Sequence, residues 1–233
     1  TYTDSGIITG DRSSTVSYLA AVFTGKWDKI EKNHSQTQEE EIINASTEKL
    51  DENDKKTLLD LARKTIAYYL KNGKSPTCSE LGINVSKRLE AQRAAFVTLT
   101  KNGHLRGCIG EIFPSQPLYM SVISNAINAA VEDPRFNPLT ENELPIIKIE
   151  ISALTPPKEI ASYKNIRLGI DGIVIQKRMR KAVFLPQVAT EQGWNLDQTL
   201  TNLAMKAGLP PDAWKENCKY LVFQAEVFHE ESN

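Results

Sequence analysis

Cys108 stands between two glycines in Leu105-Arg106-Gly107-Cys108-Ile109-Gly110. A thiol so placed has the chemistry of a nucleophile or a soft metal ligand. Glycine removes the side chains that would cover a group beside it. Arg106, two residues earlier, carries a fixed positive charge that favours a thiolate and can anchor a carboxylate or phosphate. Cys108 and Arg106 are therefore the candidate catalytic pair, with Gly107 and Gly110 as candidate ligand-binding positions. Gln187 and Glu191 follow Leu185-Pro186 at the end of an expected strand, where binding groups commonly sit. Their amide and carboxylate join the candidate ligand-binding set.

Each of these residues has a second role open to it. Free cysteine is among the most buried residue types, so Cys108 also reads as a small core filler. Gly107 and Gly110 also fit a crossing helix or a bulge. Arg106 also fits an ion pair with Glu111, Glu132 or Asp133. The carboxylates of Glu132-Asp133-Pro134-Arg135-Phe136 can do acid–base work only if their pKa values are pushed apart; they equally cap a helix or pair with Arg135. Trp194 and Trp214 read as core or interface aromatics. Lys177-Arg178 with Arg180-Lys181 reads as a solvated hairpin tip. His34, His104 and His229 are scattered and no Cys-x-x-Cys occurs, so the spacing predicts no metal site.

The elements that must position these groups are legible from periodicity. Asn102-Gly103 predicts a two-residue type I′ turn between a strand over 96–100 and a returning strand over 104–110. That turn sets Lys101 against His104, Leu99 against Arg106 and Val97 against Cys108. Val97, Leu99, Arg106 and Cys108 would then share one face. A helix runs from an Asp51 cap to Gly73, with Leu58, Ala62, Ile66 and Tyr69 in one stripe. A second begins at Pro117 and ends at Asp133-Pro134. A third begins at Asn195, with Gln198 completing a capping box, and stops at Gly208 and Pro210. A strand is expected over 146–154. Asp171-Gly172 is expected to join strands over 166–170 and 173–176. One final strand carries Leu221, Phe223, Ala225 and Val227 on a single face.

Strand hairpins followed by helices place the chain in the α+β class with antiparallel sheet. At 233 residues and net charge −1, it gives no basic footprint for nucleic acid or an anionic membrane. No apolar run approaches the roughly 20 residues that span a bilayer. Three cysteines, odd in number and far apart, fit a reducing cytoplasm. Residues 1–24 have strand character at Val16, Tyr18, Ala20, Val22 and Phe23. Residues 25–50, with Glu39-Glu40-Glu41 and few large apolar side chains, read as a polar linker. Residues 51–229 form the main domain.

Several ordered motifs in that domain resemble the AMMECR-type domain. They are the hexamer at 105–110, Glu132-Asp133-Pro134-Arg135-Phe136 with Pro138-Leu139-Thr140, Leu185-Pro186-Gln187-Val188, Glu191-Gln192-Gly193-Trp194, and Gly208-Leu209-Pro210 with Ala213-Trp214. The resemblance implies an α+β fold with a barrel-like antiparallel sheet and two subdomains; the two groups of hairpins, each followed by a helix, leave an internal β/α duplication open. It points to a cleft near the hexamer and implies no defined activity or cofactor. Ser5-Gly6-Ile7-Ile8-Thr9-Gly10-Asp11 and Ser14-Thr15-Val16-Ser17-Tyr18 resemble the C-terminal end of a Memo-like, extradiol-dioxygenase-like domain. That resemblance implies a Memo-like domain upstream and a radical-SAM protein as partners. The Memo-like metal ligands lie upstream of this stretch. Two function classes stay open: an enzyme or enzyme subunit with Cys108 as its reactive group, and a non-catalytic ligand- or protein-binding module.

Overall fold

A computed structural model describes residues 48–231 and the backbone of residues 2–4 and 17–19. Strands β1 (Tyr2–Asp4) and β2 (Ser17–Leu19) pair antiparallel in a unit spanning Thr1–Gln38. The rest of the expected strand over 16–23, and linker residues 25–47, lie outside the described residues.

The second unit, Glu39–Asn233, carries the remaining elements. Asp51 caps helix α1 (Glu52–Asn72) by accepting from the Asp54 amide, and Gly73 closes it in the left-handed conformation. Strands β3 (Ala95–Lys101) and β4 (His104–Gly110) form the expected hairpin. Asn102 and Gly103 both have positive φ, 52° and 78°, as a type I′ turn requires. Helix α2 (Leu118–Val131) follows, with Pro117 at its N-cap. Strand β5 (Ile147–Leu154) pairs with β3, and β10 (Ala225–His229) pairs with β5. The first sheet is thus ordered β10-β5-β3-β4 and wholly antiparallel.

Alternation along these strands buries one face. Ala95, Val97 and Leu99 of β3, Ile149 and Ile151 of β5, and Phe228 of β10 meet Leu58, Ala62 and Ile66 of α1 and Val122 and Ala126 of α2. Arg93 is fully buried at the end of this sheet. It donates to the carbonyls of Leu154, Ala153 and Glu48 and to the Glu226 carboxylate, which also accepts the Leu50 amide. The last residues of the linker, 48–50, are therefore fastened to the domain.

The second sheet is ordered β6-β9-β7-β8, from β6 (Lys158–Ile160), β7 (Gly172–Lys177), β8 (Arg180–Phe184) and β9 (Lys219–Phe223). Ile173 and Ile175 of β7 pack on Leu200, Leu203 and Ala204 of helix α4 (Leu196–Lys206). Asn195 and Gln198 form the expected capping box. Trp214 is buried in this core. A third cluster joins the two sheets. Ala94, Phe96 and Leu154 of the first meet Val174, Phe223, Val183 and Leu185 of the second.

Three expectations change. The sheet closes into no barrel; two open four-stranded sheets meet instead. Asp171-Gly172 makes no hairpin: residues 167–170 form a turn, and Arg167 holds the buried Asp171 carboxylate through Nε and Nη2. The hairpin partner of β7 is β8. The final strand is two strands, because the chain breaks at Gln224 and passes from the second sheet to the first.

Candidate functional site

The turn forms as expected, but the expected register beyond it does not. Lys101 faces His104 and Thr100 faces Leu105, but Leu99 faces Gly107, Thr98 faces Cys108 and Val97 faces Ile109. Arg106 is the extra residue of a β-bulge, which shifts everything after it by one position. Val97 and Leu99 therefore share the helix side with Ile109 and Gly107, and Cys108 moves to the opposite, outer face.

On that face Cys108 begins a cross-strand row. It lies opposite Thr98, Thr98 lies opposite Glu150, and Glu150 lies opposite His229. The Thr98 hydroxyl donates to the Cys108 sulfur at 3.2 Å. Cys108, Thr98 and Glu150 are half-buried and His229 is exposed. Strands are spaced about 4.8 Å apart, so Glu150 starts about 10 Å from Cys108.

Glu150 also lines a groove of about 580 Å³. Its other walls are Gly169 and Ile170, Gln224, Ala225 and Val227 at the sheet crossing, and helix α3 (Gln187–Glu191) with Pro186 before it. Gln187 and Glu191 are the first and last residues of α3, and both line the groove. The groove is open and its walls are largely polar: Glu150, Gln187, Thr190, Glu191 and Gln224, with Ile170 and Val227 as the large apolar side chains, a lining suited to a polar molecule.

Arg106 lies elsewhere. Its Nε and Nη2 bond both oxygens of Glu143 at 3.0 Å, and Lys101 bonds the same carboxylate at 2.9 Å. Its structural partner is thus Glu143, outside the three carboxylates expected. The Arg106 guanidinium holds the Glu143 carboxyl well below the usual carboxylate range. The Phe136 ring centre lies 6.0 Å from the Arg106 guanidinium and 5.5 Å from that of Arg135.

Asp133 and Arg135 complete the edge of β4. The Cys108 amide donates to Asp133 at 2.9 Å, and Arg135 Nη2 donates to the Cys108 carbonyl at 3.2 Å. Arg135 also bonds Asp133 and holds its carboxyl well below the usual range. This pair serves the backbone of Cys108, the structural alternative for the 132–136 motif.

The hexamer's glycines are filled from both sides. A Cβ on Gly107 would overlap the Ala129 carbonyl of α2, and one on Gly110 would overlap the Phe96 ring and the Ala95 carbonyl. Both positions are occupied by close packing.

Thr98, Glu150 and His229 were not among the sequence candidates. Their signal was the apolar match of Val97 with Ile109, which a shift of one residue between the turn and Cys108 satisfies. Among the described residues, no group of three His, Cys, Asp or Glu side chains is placed to hold a metal ion. No helix of the described residues is long and apolar enough to cross a membrane.

A sequence model described as AMMECR1 matches residues 59–228. A protein of Methanothermobacter thermautotrophicus, described only as a protein, is 41% identical over 183 residues, covering 76% of this chain and 94% of its own. One from Methanopyrus kandleri is 41% identical over 199 residues, covering 79% and 92%. The crystal structure of an uncharacterized protein from Pyrococcus horikoshii superposes with a TM-score of 0.71 at 36% identity, covering 78% of this chain and 94% of that one.

Proposed function

The chain belongs to the AMMECR1 family, and from that premise we propose that its domain binds a small polar molecule on the outer face of the first sheet. Cys108 is the reacting or ligating group, and Glu150, Gln187 and Glu191 are the polar contacts that orient the molecule. The domain then works as an enzyme or enzyme subunit, in the cytoplasm, with Memo-like and radical-SAM proteins. One observation carries this reading. The row Cys108–Thr98–Glu150 runs from the thiol to the groove that also contains Gln187 and Glu191. A molecule of several non-hydrogen atoms spans the thiol and the Glu150 carboxylate. The partners rest on the likeness of residues 5–18 to the end of a Memo-like domain.

Arg106 has a positioning role here. Its pair with Glu143 fixes the bulge, and the bulge puts Cys108 on the outer face. The test is a crystallographic fragment screen on the full chain, repeated with Glu150→Gln. Fragments should contact Thr98, Glu150 and α3 and lose occupancy in the variant. Fragments that collect elsewhere, or ignore Glu150→Gln, contradict the proposal.

A second reading has its own support. Arg106 is committed to Glu143, Gly107 is filled by Ala129, and the polar side chain bonded to the thiol is a hydroxyl and not a base. Those contacts favour a non-catalytic binding module. Alkylation of Cys108 separates the two: a thiol faster than free glutathione favours the enzyme, and an inert one the module.

A further inference from the structure

We infer that the tip of the β7–β8 hairpin docks an acidic protein segment that places one apolar side chain in the hollow between Met179 and Leu209-Pro210. Met179 is 97% exposed, the most exposed of the large apolar side chains among the described residues. Arg178, Arg180 and Lys181 surround it, all exposed, and no carboxylate pairs with them among the described residues. A hollow of about 480 Å³ lies beside this tip, lined by Lys177 to Arg180, Leu209 and Pro210.

The tip is held in place. Lys177 faces Arg180 across a two-residue loop, and Lys177 Nζ donates to the carbonyls of Ala213 and Glu216 at 2.9 and 2.8 Å. The Arg180 guanidinium lies against Gly208, where α4 ends. Arg178 has a φ of 56°, at the first central position of a two-residue loop, which a type II′ turn gives to glycine. The other tight hairpin of this chain uses Asn102-Gly103 for its positive angles. Here an arginine takes the strained position beside an exposed methionine.

The chemistry selects the occupant. Unpaired positive charge calls for carboxylates, and a concave apolar hollow calls for a projecting side chain. A bilayer surface presents nothing that enters a hollow. Nucleic acid needs a broad basic face with free aromatic rings, whereas the chain's net charge is −1 and the neighbouring Phe113 ring is covered by Lys181 at 5.0 Å.

The experiment pans the full chain against a random heptapeptide library displayed on phage. Retained peptides should carry several Asp or Glu residues and one Leu, Ile, Met or Phe, and should bind more weakly as salt rises. The Arg178→Gly/Met179→Ser variant puts glycine where the turn prefers it, so it keeps its fold. Its affinity for those peptides should fall by about tenfold or more. Met179→Ser alone isolates the apolar anchor. Several results overturn the inference: no enrichment, neutral or basic peptides, or equal binding by the variant. Tighter binding to phosphatidylserine vesicles or single-stranded RNA, or self-association through the tip in sedimentation, overturns it as well.

Discussion

The backbone amide of Cys108 donates to the Asp133 carboxylate at 2.9 Å, across the open edge of the first sheet. An edge strand ordinarily exposes unpaired amides and carbonyls. Here Asp133 takes the amide and Arg135 the carbonyl, so the strand is held at the residue whose side chain faces the groove side of the sheet.

Asp133→Asn should destabilise the protein by about 1–3 kcal/mol, the usual cost of weakening a buried charged hydrogen bond. Urea unfolding at pH 7 measures it. An unchanged midpoint contradicts the edge-holding role.

Acid should act through the same groups. Asp133 and Glu143 have depressed folded-state pKa values, from Arg135 and Arg106 respectively. Their stabilisation is present above the unfolded carboxylate values, about pH 4, and is lost as pH falls toward the folded ones. Stability from this source should be level between pH 7 and 5 and fall below about pH 4. The fall should be shallower in Asp133→Asn. Unfolding curves at stepped pH read the slope.

Gly107→Ala should be the more damaging of the two hexamer glycine changes. Its methyl would lie 2.0 Å from the Ala129 carbonyl oxygen of α2, whereas at Gly110 the backbone obstacle, the Ala95 carbonyl oxygen, is 2.6 Å away and the nearer one is the Phe96 ring. A loss of about 2–3 kcal/mol is expected at Gly107, typical of overpacking. Thermal melts of the two variants give the order. Equal, small shifts would contradict the close approach of α2.

Arg106→Gln should lower stability by about 1–3 kcal/mol, because Glu143 loses its two-point partner. Because the pair also fixes the bulge, Cys108 alkylation by iodoacetamide should change alike in Arg106→Gln and Glu143→Gln. Slowing in Arg106→Gln alone would return Arg106 to the role of the cation that activates the thiol.

Helix ends and turns were legible because they are local. Asp51, Gly73, Asn102-Gly103 and the Asn195–Gln198 box act within a few residues. The bulge at Arg106 was not, since it depends on Glu143, 37 positions along the chain, and on Ala129 pressing at Gly107. One extra residue reverses the face of every side chain after it, so Cys108 landed beside Thr98 and away from Val97. Gln187 and Glu191 were found because they follow a strand end. Their partner Glu150 looked like an ordinary outward residue of an alternating strand. The crossing at Gln224 was hidden because both strands keep the same alternation.

Disulfide tethering tests the central claim most directly. The full chain is equilibrated with disulfide-capped fragments, and the adducts are located by mass spectrometry and crystallography. Burial pushes the Cys78 and Cys218 thiols up, which slows them. The account predicts capture at Cys108, with the fragment lying over Thr98 and Glu150 toward Gln187 and Glu191. No capture at Cys108 in the folded protein, or fragments directed past the β4 edge into solvent, would contradict it.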